Sequence, residues 1–227
     1  MTIEKVIVLQ PPSPPFMNVK RDYAGGFGVA DPSVRNTFGH DPNYITLPFM
    51  SALYTAAVLE KEKYEVRFID AQAEALSLEN MLIKIKDFSP QVIISVINLP
   101  SIYGDLRVLR TIKESMPDVK IITIGVVNRV LKDLILKSGS VDFAVQGDPE
   151  VIVPNLLKNL DFPEDVEGIS YIEREEIITT PGIPRITDLD SLPYPAYHLA
   201  PMEKYWYHVF GKNRKFASVF SSKGCDF

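Results

Sequence analysis

Gln91-Val92-Ile93-Ile94-Ser95-Val96-Ile97 is the stretch on which the fold turns. It is short, β-branched and apolar, so it reads as a strand buried on both faces, the kind found inside a parallel sheet. Residues 5–9, 64–69, 119–124 and 141–145 read the same way. Between these runs, apolar residues recur at helical spacing and define one buried stripe per segment. The stripes are Met50, Leu53, Tyr54, Ala57 and Val58; Leu78, Met81, Leu82 and Ile85; Leu106, Leu109, Ile112 and Met116; and Val130, Leu131, Leu134 and Ile135. Ser77 is placed to cap the helix that begins at Leu78, while Pro117 and Ser138-Gly139 close two others. Strands and helices in alternation predict an α/β fold, Rossmann-like, with five parallel strands in the flavodoxin-like order and helices on both faces. A hairpin over residues 168–173 and 177–180 should follow, and then an extended linker.

Composition agrees with this reading and removes several classes of function. The chain has 227 residues, 46% of them apolar, enough for one ordinary domain and something smaller. A mean hydropathy of +0.03 argues against a wholly disordered chain, and no run of about 18 apolar residues exists to span a bilayer. The net charge of −5, with both signs interspersed, sets up no field for nucleic acid or anionic lipid, so neither partner is expected. A single cysteine cannot form an internal disulfide, and Met1-Thr2-Ile3-Glu4-Lys5 leads into a strand where a signal peptide would have its apolar core. The expected compartment is the cytosol.

Twelve of the 18 prolines fall in residues 11–48 and 181–201, which marks these two stretches as irregular. The first is a connection of about 35 residues where such loops usually hold two to six, and so long a loop usually serves a site. The second suits a stiff linker between domains. Ligands of open parallel sheets sit outside the carboxyl ends of the strands, at the point where the strand order reverses. Here strand one ends in Gln10-Pro11-Pro12-Ser13-Pro14-Pro15, and proline offers no N–H for a nest of amides around phosphate. That disfavours flavodoxin, P-loop and dinucleotide-fingerprint chemistry together. Gly25-Gly26-Phe27-Gly28 lacks the spacing of a phosphate fingerprint and reads as loop. The other strand ends, Ser95-Val96-Ile97-Asn98, Gly125-Val126-Val127-Asn128 and Gln146-Gly147-Asp148-Pro149-Glu150, are small and nearly neutral. They suit a large neutral ligand rich in amides, although Gly125 and Gly147 are equally readable as plain strand-to-helix turns.

In order along the chain, these motifs carry a family resemblance. Pro11-Pro12-Ser13-Pro14-Pro15, Glu65-Val66-Arg67-Phe68-Ile69-Asp70-Ala71, Ser95-Val96-Ile97, Gly125 and Gly147-Asp148-Pro149-Glu150 resemble the N-terminal portion of cobalamin-dependent radical SAM enzymes, the magnesium-protoporphyrin ester cyclase and methyltransferase type. Asp188-Leu189-Asp190-Ser191-Leu192-Pro193-Tyr194-Pro195 is similar to that family's linker, and Ser221-Ser222-Lys223-Gly224-Cys225 to the opening of its CxxxCxxC cluster motif. The resemblance implies a cobalamin-binding domain over residues 1–160, a hairpin and linker over 161–201, and the start of a radical SAM domain over 202–227. It implies cobalamin lined by Pro11, Pro12, Ser95, Val96, Gly125, Val126 and Gly147, with the residue 16–45 loop covering it. Cys225 would be the first thiolate of a [4Fe–4S] cluster that binds S-adenosylmethionine in the full-length protein only. The chain thus reads as cut short, catalytically silent by itself, with the rest of the barrel as its partner in cis.

Two features depart from the family pattern. No DxHxxG follows strand one, so no protein histidine is expected on cobalt; His40 reads as a loop residue, and His198 and His208 as linker surface. Val126 stands where a second glycine is usual, placing a branched side chain where backbone would approach the ligand. The competing reading is a degenerate Rossmann-like domain without cofactor that binds a protein partner through the proline loop and Tyr194, Tyr197, Tyr205, Trp206 and Tyr207. Residues 216–220 should form an orphaned strand, poorly ordered or paired with a neighbour.

Overall fold

The computed structural model describes residues 3–14, 17–32, 46–207 and 216–224. Along the chain run β1 (Lys5–Gln10), β2 (Met17–Lys20), β3 (Val29–Pro32), α1 (Met50–Lys61), β4 (Glu65–Asp70), α2 (Leu78–Phe88) and β5 (Val92–Val96). They are followed by α3 (Ile102–Ser115), β6 (Lys120–Ile124), α4 (Asn128–Leu136), β7 (Phe143–Val145), α5 (Pro149–Lys158), β8 (Ile169–Glu173) and β9 (Glu176–Thr179). The main sheet has the order β4-β1-β5-β6-β7-β8-β9. Its first five strands are parallel and carry the flavodoxin-like order, with β1 between β4 and β5. The order therefore reverses at the carboxyl ends of β1 and β5, where a ligand-binding crevice is expected.

Strand alternation divides the core in two. Val6, Val8, Val92, Ile94 and Val96 face α1 and α5, whereas Ile7, Leu9, Ile93 and Ile97 face α2, α3 and α4. Each fully buried Ile or Leu contributes about 1.5–3 kcal/mol, so removing both faces of β1 and β5 from water is a dominant stabilising term. Helix α1 is buried on nearly all sides, through Ala52, Leu53, Ala56, Ala57 and Leu59. The linker is the reason: Ala196 joins the same core, and its N–H donates to the Leu53 carbonyl at 3.2 Å. Ser77 caps α2 as read from the sequence, its hydroxyl accepting from the Asn80 N–H at 3.1 Å.

Several elements differ from the sequence reading. The hairpin β8–β9 is no separate unit; β8 pairs antiparallel with β7 and extends the sheet to seven strands. The stripe expected on α4 is rotated, for Val130 is 68% exposed and Leu134 36%, while Val127, Ile135 and Leu136 are buried. The cause is a tight opening turn, with Asn128, Arg129 and Val130 donating three residues back, broken at Leu131 (φ −117°, ψ 25°). About three residues per turn instead of 3.6 swing Val130 outward. Residues 216–220 form no strand and lie against their own domain, where Phe220 stacks on Tyr54 at 5.3 Å with 13° between planes. Tyr205, expected at the surface for a partner, is buried. His40, His208, Cys225 and much of the residue 16–45 loop lie outside the described residues.

Candidate functional site

The carboxyl edge of the parallel strands is covered by the insert between β1 and α1. Residues 17–32 form a small antiparallel ribbon, β2–β3, joined by a turn that crosses the ends of β5 and β6. The Leu99 N–H donates to the Phe27 carbonyl at 3.0 Å, and Asn98 Nδ2 donates to the carbonyls of Gly26 at 2.9 Å and Arg21 at 3.1 Å. A Cβ on Gly26 would stand 3.4 Å from Val126 Cγ1, which places the glycine turn against the end of β6.

What fixes the insert is a buried guanidinium. Arg21 donates to both carboxylate oxygens of Asp105 at 3.1 Å, to Asn98 Oδ1 at 3.0 Å, to Ser101 Oγ at 3.3 Å and to the Pro11 carbonyl at 3.0 Å. The side chains of Arg21 and Asp105 are 2% and 0% exposed. Bidentate geometry and five acceptors compensate a charge pair that would otherwise be costly to desolvate. The insert is therefore a floor built onto the sheet edge.

Beside it lies a second polar group. Asp70, at the end of β4, accepts from the Ala73 N–H at 2.8 Å and from the Tyr205 hydroxyl at 3.0 Å. Burial, partly offset by those donors, raises the Asp70 carboxyl to about 6, and burial beside Asp70 also pushes the Tyr205 phenol up. Asp22 is raised to about 6 by burial as well, against the Met50 N–H that it accepts at 3.0 Å and the charge of Lys223. Through that bond Asp22 caps α1 from a distance, since Phe49 at the cap position has no side-chain oxygen. Among the described residues, buried atoms without a hydrogen-bond partner are Gln10 Oε1, Gln72 Oε1, Arg21 Nε and Glu150 Oε1. Gln10 and Asp70 are paired across β1 and β4, so two unmatched amide oxygens stand at one end of these strands.

The residues implied by the resemblance are placed unevenly. The Pro11 carbonyl belongs to the Arg21 clamp, Pro12 is half-buried next to it, and Val126, 37% exposed, lies under the glycine turn. Ser95 and Val96 are inside β5 and wholly buried, the Ser95 hydroxyl donating to the Val96 carbonyl at 3.3 Å. A Cβ on Gly125 would fall 2.4 Å from the Ile97 carbonyl oxygen, at φ +138°, so crowding between β5 and β6 itself demands glycine there. At Gly147 the corresponding clash is 2.5 Å from the Pro184 carbonyl, because the linker crosses that turn. His198 lies at the surface with Nε2 3.0 Å from Glu60 Oε1, away from the strand ends.

The sequence reading did not single out Arg21, Asp22 or Gln72, and it placed Tyr205 on a partner surface and not beside Asp70. Asp105 carried a signal, since an acid at that position interrupts the buried stripe of Leu106, Leu109 and Ile112 and needs a cation.

Residues 46–157 match the family model described as the B12 binding domain. Residues 46–157 form a B12-binding domain. The match starts after β1, although β1 is an interior strand of the same sheet, between β4 and β5. Among curated proteins, the chain is 30% identical over 183 residues to an anaerobic magnesium-protoporphyrin IX monomethyl ester cyclase of Rubrivivax gelatinosus, covering 77% of this chain and 32% of that protein. It is 27% identical over 186 residues to an uncharacterized methyltransferase of Pyrococcus horikoshii, covering 80% and 39%. The chain thus spans about a third of the length of such relatives. Among solved structures, the cobalamin-dependent S-adenosylmethionine radical enzyme OxsB with aqua-cobalamin bound has the same fold, with a TM-score of 0.64 at 16% identity over 86% of this chain and 24% of that one. The radical S-adenosylmethionine methyltransferase TsrM of Kitasatospora setae, with cobalamin and a [4Fe–4S] cluster bound, gives 0.58 at 12% identity over 79% and 31%. The B12-binding domain of this chain resembles those of radical SAM methyltransferases and cyclases. Among the described residues, no helix is long and apolar enough to cross a membrane, and no group of three or more His, Cys, Asp or Glu could hold a metal ion.

Proposed function

We propose that the chain binds cobalamin at the carboxyl edge of β1, β4, β5 and β6, and that it is the cobalamin-carrying part of a radical SAM enzyme. The observation that carries this reading is the B12-binding match laid over an edge lined by unmatched amide acceptors. Cobalamin is a large ligand whose corrin rim bears amide N–H donors; the Gln10 and Gln72 oxygens need such donors, and the prolines after β1 exclude a phosphate nest. The residues present fit the group. Gln10, Gln72 and Val126 would hold it, with the Arg21-clamped insert as a rigid support and Ser95 and Gly125 shaping the strand ends beneath. When bound, cobalamin would supply methyl transfer or assist a cyclase-type radical step. The protein's part is position and exclusion of water.

In the longer protein, residues 1–160 would carry cobalamin, 161–201 would link, and 202–227 would open a radical SAM domain, with Cys225 the first thiolate of a [4Fe–4S] cluster that binds S-adenosylmethionine. Purified protein mixed with hydroxocobalamin should keep the pigment through gel filtration. Reduced to cob(II)alamin, it should show an electron paramagnetic resonance spectrum without nitrogen splitting from a protein histidine. Colourless protein would overturn the proposal and favour a protein-binding domain, for which the 91% exposure of Tyr194 is the supporting observation.

A further inference from the structure

Residues 216–224 return to the B12-binding domain and are held there at several points. The Tyr197 hydroxyl donates to the Ser218 carbonyl, and Phe220 stacks on Tyr54 of α1. Lys223 then places its ammonium 2.5 Å from Glu150 Oε2 and 3.7 Å from Asp148 Oδ1. The side chains are 12%, 0% and 17% exposed in that order. Asp148 also takes the Ile186 N–H at 2.7 Å on its other oxygen, and its own N–H donates to the Pro184 carbonyl at 3.0 Å. The same turn therefore fastens the linker and the segment beyond it.

Two acids of the turn into α5, Asp148 and Glu150, share this one ammonium, and Asp22 from the insert feels its charge. Burial pushes the Glu150 carboxyl up, and Lys223 is the main influence opposing that shift. A carboxylate wholly removed from water needs such a partner, whereas a surface lysine needs none. The cost of burying Glu150 is thus compensated chiefly while residues 216–224 are docked. Arg185 is another cation nearby, its guanidinium 3.8 Å from where a Cβ on Gly224 would stand.

We infer that Asp148-Pro149-Glu150 is a seat for the segment that leads into Cys225, and that Glu150 is a positioning residue that holds Lys223, two residues earlier, at the end of the cobalamin-bearing sheet. The role assigned to Cys225 rests on the proposed function; the seat rests on the contacts alone. In the longer enzyme, the seat would set where the first cluster thiolate emerges relative to cobalamin.

Because Cys225 is the only cysteine of the chain, a nitroxide attached to it reports on the seat. The label spectrum should be immobilised in the unsubstituted protein and in Lys223→Arg. It should become mobile in Glu150→Gln and Lys223→Met, with amide exchange over 216–224 accelerated about tenfold to a hundredfold, as expected for loss of a charged hydrogen bond. Exchange over β1, β5 and β6 should stay unchanged, which separates undocking from unfolding. A mobile label in the unsubstituted protein, or exchange over 216–224 unaffected by both Glu150→Gln and Lys223→Met, would overturn the seat. With cob(II)alamin loaded, dipolar coupling between cobalt and nitroxide should give a narrow distance distribution that broadens in Glu150→Gln and narrows again in Lys223→Arg. Loss of pigment with an immobilised label would sink the cobalamin reading and leave the seat standing.

Discussion

The Arg21–Asp105 clamp allows a quantitative test of the insert as a fixed floor. Substituting Asp105→Asn keeps the shape of the side chain but leaves a guanidinium, 2% exposed, without its counter-charge. Breaking a buried pair from one side costs about 3–5 kcal/mol, chiefly from the stranded charge. The strain can be relieved without unfolding the sheet, because Arg21 sits on the insert and Asp105 on α3; releasing residues 17–32 returns the guanidinium to water. Converted at about 1.4 kcal/mol per decade, the local opening equilibrium should rise by about a hundredfold to several thousandfold. Arg21→Met should cost less, since the Asp105 carboxylate keeps the Ser101 hydroxyl at 2.7 Å and the Asn98 N–H at 3.3 Å. Hydrogen exchange measured peptide by peptide reads both effects. Amides of β2 and β3 should exchange much faster in Asp105→Asn than in Arg21→Met, with β1 and β5 protected as before. Exchange within threefold of the unsubstituted protein across residues 17–32 in both variants would refute the clamp.

Gly125→Ala drives a Cβ to 2.4 Å from the Ile97 carbonyl at φ +138°, so urea unfolding should show a loss of about 2–4 kcal/mol; a neutral result would mean that β5 and β6 are not so closely apposed. Asp70 gives a pH signature. Its carboxyl rises from 3.8 unfolded to about 6 folded, so the folded state holds the proton more tightly, and the stability this contributes, present below pH 3.8, is lost as pH rises through 6. At 1.36 kcal/mol per unit, Asp70→Asn should gain up to about 3 kcal/mol on the unsubstituted protein between pH 4 and pH 7. A stability difference constant over that range would rule out burial of the charge as its source.

Strands β1, β5, β6 and β7 were legible as apolar runs, whereas β2 and β3, inside the proline-rich loop, were not; the strand order followed because right-handed crossovers between parallel strands leave few arrangements. Residues 92–96, 120–124 and 143–145 fall within the runs read from sequence. The stripe on α4 was misjudged since helical spacing assumes one phase throughout, and the break at Leu131 shifts it. The polar floor was not legible. Arg21 finds Asn98 and Asp105 at 77 and 84 residues' distance, and nothing local in a proline-rich loop announces a partner so far along the chain. Gly125 and Gly147 were visible as glycines, but their reason, a carbonyl from β5 in one case and from the linker in the other, needed the fold.

The interior place of β1, between β4 and β5, governs how the chain can fold as it is made. Val6 pairs with Val66 on one side and Val92 on the other, so the first strand synthesised has no partner until the insert, α1 and β4 have been made, and its second edge stays open until α2 and β5 follow. At translation rates of about 5–20 residues per second, roughly 4–17 s separate β1 from β5. During that interval an apolar strand has at least one edge open, and both until β4 emerges, a state prone to aggregation. The wait follows from chain order alone, and the long insert lengthens it. Fusing the insert's two ends through a short turn would bring β4 and β5 to β1 sooner and lower the contact order, so refolding should quicken even if the floor is lost.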